Sequence, residues 1–211
     1  MRSKEFLLIV CLLFIVREAV ATTYKIDAYF SSSTCSGTPS IITAGESTAC
    51  AAQCVVDPTK GVSKTLGSQK TICSTDYLTD IQGLFGSSKY IMMASFGDTN
   101  CTELDLVSAV LVSGSCQEAS DDSGYVTASL NDDGSGTISM YKSQTCAASD
   151  LDGSIAITAA DLKSHSCDSD GRRWYSSNDV TTTSTKSASP GLSMGAIVGV
   201  IGAGVVSILV V

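Results

Sequence analysis

Apolar and polar residues alternate in short runs along most of this chain. Tyr24, Ile26, Ala28 and Phe30 occupy every second position, which places them on one face of a β-strand. Met92, Ala94 and Phe96 repeat the arrangement. Two alternating runs, 125–130 and 137–141, flank Asn131-Asp132-Asp133-Gly134-Ser135-Gly136, a turn sequence that predicts a hairpin. Gly67-Ser68 separates 62–66 from 69–72, and Asp152-Gly153 precedes a strand at 154–158. Helical periodicity is poor, with short helices expected only at 49–56 and 76–84. Many short strands joined by Gly, Ser, Asn and Asp predict an all-β protein, an antiparallel sandwich or barrel-like domain.

The pattern repeats. At an offset of 66 residues, Tyr24 falls on Tyr90, Ala28 on Ala94, Phe30 on Phe96, Cys35 on Cys101, Ser47 on Ser113 and Cys50 on Cys116. Ile26 matches Met92, and Ile41 matches Val107. A shorter third copy covers 138–146, where Tyr141 precedes Cys146 by the same five residues, and Cys167 supplies its second cysteine. The domain therefore reads as strand–Cys–strand–Cys units over 24–50, 90–116 and 138–167.

Both ends depart from this pattern. Arg2 and Lys4 precede an apolar run, 6–16, and Ala19-Val20-Ala21 follows. This is the layout of a secretory signal peptide over 1–21, cleaved after Ala21. The run is too short to span a bilayer comfortably, so an uncleaved anchor is the weaker alternative. At the other end 194–211 is apolar and uncharged. Small residues Ser187-Ala188-Ser189 and a short spacer precede it, as in signals for glycosylphosphatidylinositol (GPI) attachment. Ser187 is the expected lipidation residue, with Ser184 a poorer choice because Lys186 follows it. The segment 190–211 would then be removed. A single membrane span is the rival, and Gly195 and Gly199 would form its helix-pairing motif. Before the tail, nine of the fourteen residues in 176–189 are Ser or Thr, a composition that cannot bury a core and reads as a stalk.

Of nine cysteines, Cys11 lies in the signal peptide, leaving Cys35, Cys50, Cys54, Cys73, Cys101, Cys116, Cys146 and Cys167. An even count in an exported chain predicts a disulfide framework. If each unit bridges its own pair, the bonds are Cys35–Cys50, Cys101–Cys116 and Cys146–Cys167, with Cys54–Cys73 left over. Bridges between units are the alternative. A zinc site would need paired C-x-x-C motifs or more than one histidine, and neither is present.

Charge is uneven. Between 22 and 97, five lysines balance five acids; between 98 and 187 there are 14 acids against five basic residues. The acids Asp121, Asp122, Asp132, Asp133, Asp150, Asp152, Asp168 and Asp170 sit at predicted turns and fit no EF-hand loop, so they read as solvated turns rather than calcium ligands. The acidic balance argues against nucleic-acid and anionic-lipid partners. His165 is the one histidine, with no G-x-S-x-G elbow to serve, and no P-loop or dinucleotide motif occurs. Arg172-Arg173-Trp174-Tyr175 is either a stacking patch for a sugar or protein partner, or the end of the last strand. Asn100-Cys101-Thr102 is the single N-glycosylation triplet.

No catalytic residue, metal or cofactor is predicted. The sequence reads as a GPI-anchored cell-surface glycoprotein on the outer face of the plasma membrane, held by its lipid and open to an extracellular protein or glycan. It would serve structure, adhesion or recognition. The alternatives are an anchored hydrolase using His165 or turn carboxylates, a single-span membrane protein, or a secreted factor.

Overall fold

The computed structural model describes residues 21–56, 66–120 and 124–178. They lie in the unit Met1–Asp179; the unit Val180–Val211 falls outside the described residues, and with it Ser187 and the apolar tail. The predicted signal segment up to residue 20 also lies outside them.

The chain runs through β1 (Tyr24–Phe30), β2 (Ile41–Glu46), β3 (Gln53–Val55), β4 (Ser68–Ser74), helix α1 (Tyr77–Phe85), β5 (Tyr90–Phe96), β6 (Leu104–Leu111) and β7 (Gln117–Glu118). It continues through β8 (Tyr125–Leu130), β9 (Gly136–Tyr141), a 3₁₀ turn (Ala148–Asp150), β10 (Leu151–Ile157), α2 (Ala159–Ser164) and β11 (Arg172–Ser176). Seven strands form one sheet in the order β11-β5-β6-β2-β1-β4-β3, and four form a second, β10-β9-β8-β7. Every pairing is antiparallel. This is the disulfide-stapled all-β domain that the alternation predicts.

The repeat organises the larger sheet. In the first hairpin Ile26 pairs with Ala44 and Ala28 with Ile42; in the second Met92 pairs with Ala109 and Ala94 with Val107. The hairpins join through β2 and β6, where Ile42 faces Ala109, Ala44 faces Val107 and Thr43 faces Ser108. Each strand's branched residue meets the other's alanine. The contact is therefore self-complementary, like that of a twofold dimer, but within one chain. The flanking strands obey the same relation: Ile72 of β4 lies opposite Ile26, and Tyr175 of β11 opposite Met92. The structure corrects the sequence alignment by one residue. Ile41 pairs with Tyr29, whereas Leu106 pairs with Ser95, so Leu106 and not Val107 is the counterpart of Ile41. Because side chains alternate faces, this slip puts Val107 in the core and leaves Leu106 43% exposed.

Each face of the large sheet has its own cover. On one, Ile81 and Phe85 of α1 pack into Ile26, Ala28, Ile42, Met92, Ala94, Val107 and Tyr175, with Phe85 stacked on Tyr90 at 4.6 Å. Asp76 caps the N-terminus of α1 by accepting from the Thr79 amide, and Gly86 ends it at φ 58°. On the other face, Ile91, Val110, Ile41 and Trp174 meet Val126, Ala128, Ile138 and Ile157 of the smaller sheet.

Three local expectations change. The segment 49–56 contains β3, not a helix, because it pairs along β4 and Cys54 is bridged. Ser68 opens β4 instead of turning a hairpin; residues 62–65 lie outside the described set. Asp152-Gly153 is a bulge inside β10 rather than a turn before it. The helix α2 was not expected. Its signal was Thr158, whose hydroxyl accepts from the Asp161 amide and donates to the Asp161 carboxylate, a capping arrangement of the Thr-x-x-acid type.

Candidate functional site

All eight cysteines of the domain are bridged, in pairs other than those expected: Cys35–Cys54, Cys50–Cys73, Cys101–Cys167 and Cys116–Cys146. The reason is the hairpin itself. Cys35 follows the end of β1, while Cys50 follows the far end of β2, beside the start of β1. A strand of this length holds them roughly 20 Å apart, and a disulfide needs Cα atoms within about 7 Å. Each cysteine instead finds a partner at its own end of the sheet. Cys35, Cys101 and Cys146, the first cysteines of the three copies, all adopt left-handed backbone angles, φ 49°, 55° and 46°. The same tight turn thus recurs in every copy. Four bridges in one small domain are the mark of an exported protein that matures in an oxidising compartment. Among the described residues no helix is long and apolar enough to cross a membrane.

The residues singled out for chemistry are held in structural roles. His165 ends α2 in a left-handed conformation; its ring stacks on Tyr175 at 4.6 Å and lies with Nδ1 2.8 Å from the Trp174 carbonyl oxygen. A carbonyl only accepts, so Nδ1 carries the proton in that bond, and the ring caps the outer edge of β11. Trp174 and Tyr175 are buried on opposite faces of the sheet, so Arg172-Arg173-Trp174-Tyr175 is the end of the last strand and not an open aromatic patch. Arg173 lies over the Phe96 ring at 5.4 Å.

The acids disperse in the same way. Asp168 accepts from the amides of Asp170 and Arg172 and from the Trp174 indole. Asp170 pairs with Arg172, and Asp152 with Lys142. Asp133 accepts from the Ser135 hydroxyl and amide, which hold its pKa below the usual carboxylate value. Asp121 and Asp122 are outside the described residues. Among the described residues no three His, Cys, Asp or Glu side chains converge as metal ligands. Asn100 is exposed in the turn before Cys101. Its partner in the glycosylation triplet, Thr102, donates both its amide and its hydroxyl to Asp98, which lowers the Asp98 pKa. Ala21 is exposed at the start of the described residues.

What the sequence did not offer is a cleft of about 320 Å³ where the copies meet. Ser31 and Ser40, at the two ends of the β1–β2 connection, form one wall; Ser113, Ser115, Gln117 and Glu118, after β6, form the other. Leu66 and Leu111 add apolar surface. The walls are tied by the Leu111 amide, which donates to the Ser40 carbonyl at 2.9 Å, while Cys116 is bridged away from the cleft, to Cys146 of the third copy. Gln117 is only 7% exposed. Its Nε2 donates to the Leu111 carbonyl at 2.7 Å, which fixes the amide's orientation, and its Oε1 is buried without a hydrogen-bond partner. Among the described residues, His165, Asp133, Asp152, Asp168 and Asp170 do not line this cleft. Its residues come from segments far apart in sequence, and no motif spacing links them.

No family model matches this chain, and no curated protein or solved structure is similar to it at a significant level.

Proposed function

We propose that this chain is a GPI-anchored extracellular glycoprotein that presents a rigid β domain at the cell surface for adhesion or recognition. The observation that carries the reading is the disulfide framework: four bridges that use every cysteine of the domain. It fits the export signal over 1–21 and the small-residue triplet before the apolar tail. The Ser/Thr-rich segment 176–189 would be the stalk, Ser187 the lipid attachment site, and the exposed Asn100 a glycan site modified before Cys101 oxidises.

The test is release by phosphatidylinositol-specific phospholipase C from intact eukaryotic cells expressing the full chain. Release into the medium is expected, and Ser187→Leu should abolish lipid attachment or displace it. Tight retention after treatment, with Val211 still present by mass spectrometry, would make the tail a spanning helix and end the lipid-anchor reading.

A further inference from the structure

We propose that β10 is a pairing edge through which two copies of this chain join into one continuous sheet. Among the described residues the two sheets have four outer edges, and three of them are blunted. The strand β3 has three residues and is stapled through Cys54. The strand β7 has two, one of them Glu118. The strand β11 carries Arg172 and Arg173, and the His165 ring occupies the Trp174 carbonyl on its outer side. Short strands, charged side chains and covered backbone are the devices that keep an edge from pairing. β10 lacks them. It ends the smaller sheet, runs for seven residues and contains no lysine, arginine or proline. Its one charge, Asp152, lies in the bulge and is paired with Lys142. After the bulge, Gly153–Ile157 keeps regular register with β9, so its outward backbone groups are set for another strand.

A second copy is the occupant because the segment complements itself. Antiparallel pairing about Ile155 sets Ile155 against its own copy, Ser154 against Ala156 and Gly153 against Ile157. On the core face a glycine meets a branched residue twice, much as alanine meets a branched residue where β2 joins β6. On the outer face Ser154 and Ala156 are small and exposed, and no like charges are opposed. Ile155 is half-buried in one copy, and its twofold mate completes its cover. The same register brings Ala159, where α2 starts, alongside Leu151, which is 47% exposed. Such a contact is isologous, so it closes at two copies and does not grow into a fibre. The two sheets of four strands become one of eight.

The experiment is photo-crosslinking on intact eukaryotic cells that express the full chain, with p-benzoylphenylalanine placed at the exposed Ser154. Irradiation is expected to give a covalent dimer whose linked peptide contains residues 151–157 of the second copy. The same probe at Ser129, exposed on β8 of the same sheet, should give no dimer. Ala156→Lys adds the kind of charge that blunts an edge, and it should lower the Ser154 crosslink several-fold. Should Ala156→Lys lose any of the four bridges by disulfide mapping, Ser154→Lys replaces it, with the probe at Ala156. No covalent dimer, links only to other proteins or to another part of the second copy, equal yield from Ser129, or a dimer undiminished by the lysine would each overturn the inference. The crosslink reads the same whether a lipid or a spanning helix holds the chain, so this idea and the lipid-anchor reading fail separately.

Discussion

The two hairpins of the large sheet share one face and differ on the other. On the face under α1, Ile26, Ala28, Ile42 and Ala44 of the first correspond to Met92, Ala94, Val107 and Ala109 of the second, and all are buried. On the opposite face β1 carries Lys25 and Asp27, joined at 2.7 Å, where β5 carries Ile91 and Met93. The outer strands follow suit. Thr71 of β4 donates to Asp27 at 2.6 Å, while its counterpart in β11 is Trp174, 3% exposed. The cause is the smaller sheet. It is inserted between β6 and β11 and covers the second half, whereas the link between β2 and β4 adds only β3 to the described structure. One strand plan thus serves both as a half-solvated strand and as one buried on both faces.

The turns after β1 and β5 differ by a single atom's worth of space. Ser68 and Gly171 occupy equivalent positions opposite Phe30 and Phe96. The Ser68 hydroxyl donates to the Ser32 carbonyl at 2.7 Å and accepts from the Cys35 amide at 2.8 Å. In the second half the turn comes closer: a Cβ on Gly171 would lie 2.7 Å from the Asp98 carbonyl oxygen, at a φ of 71° that already favours glycine. There the Cys101 amide turns to the Asp98 carbonyl instead. Each half satisfies its left-handed cysteine by its own route.

The largest expected difference between the halves lies in their bridges. Cys35–Cys54 spans 19 residues of sequence and Cys101–Cys167 spans 66, enclosing the smaller sheet. In the loop-entropy account, removing the first by double Cys→Ser substitution costs about 3 kcal/mol and removing the second about 4 kcal/mol. Denaturant unfolding of the two variants should rank them in that order. The reverse ranking would mean that the first half, not the insertion, is the part that depends on its staple.

Next in size is the contrast between Lys25 and Ile91, which stand at the same point of the repeat. Ile91 is fully buried, and Ile91→Ala should cost about 2–5 kcal/mol through lost burial and the cavity left behind. Lys25 is 43% exposed at its side chain, so Lys25→Ala should cost no more than about 1 kcal/mol. Thermal unfolding of both variants checks this. Equal losses would show that the first half also has a dry second cover.

Much of this was legible beforehand. The repeat locates both hairpins, and the alternation picks out the face that α1 covers. That Ile91 and Met93 stand where β1 has Lys25 and Asp27 is written in the sequence, but the alternation alone reads both strands as one-faced. The disulfide pairing was not read correctly, although hairpin geometry alone separates Cys35 from Cys50 by a strand's length. The one-residue slip at Leu106 was hidden because it arises from turn length: eleven positions separate Ser95 from its partner Leu106, against twelve between Tyr29 and Ile41, although both cysteines keep the same spacing from their strands. The cleft was hidden for a different reason. Serines are common in turns, and only the packing of the copies brings Ser31 and Ser40 across from Ser113 and Ser115.

The smallest contrast concerns the two helix caps. The helix α1, after β4, is capped by the Asp76 carboxylate; α2, before β11, is capped by the Thr158 hydroxyl, which does not titrate in this range. Hydrogen bonds from the Thr79 hydroxyl and amide hold the Asp76 pKa below its ordinary 3.8. A carboxyl whose folded pKa is lowered adds stability that is present above 3.8 and lost as the pH falls through the folded value. Asp98 and Asp133 are lowered too, so some acid sensitivity belongs to the whole domain. Asp76→Ala should cost about 1 kcal/mol at neutral pH. Asp76→Asn should keep most of the cap while removing its titration. Stability measured from neutral pH to below 3.8 should therefore fall less steeply for Asp76→Asn than for the native chain. Thr158→Ala should weaken both ends of that range alike. Identical slopes for Asp76→Asn and the native chain would move the acid-sensitive point away from α1, to the turns held by Asp98 and Asp133.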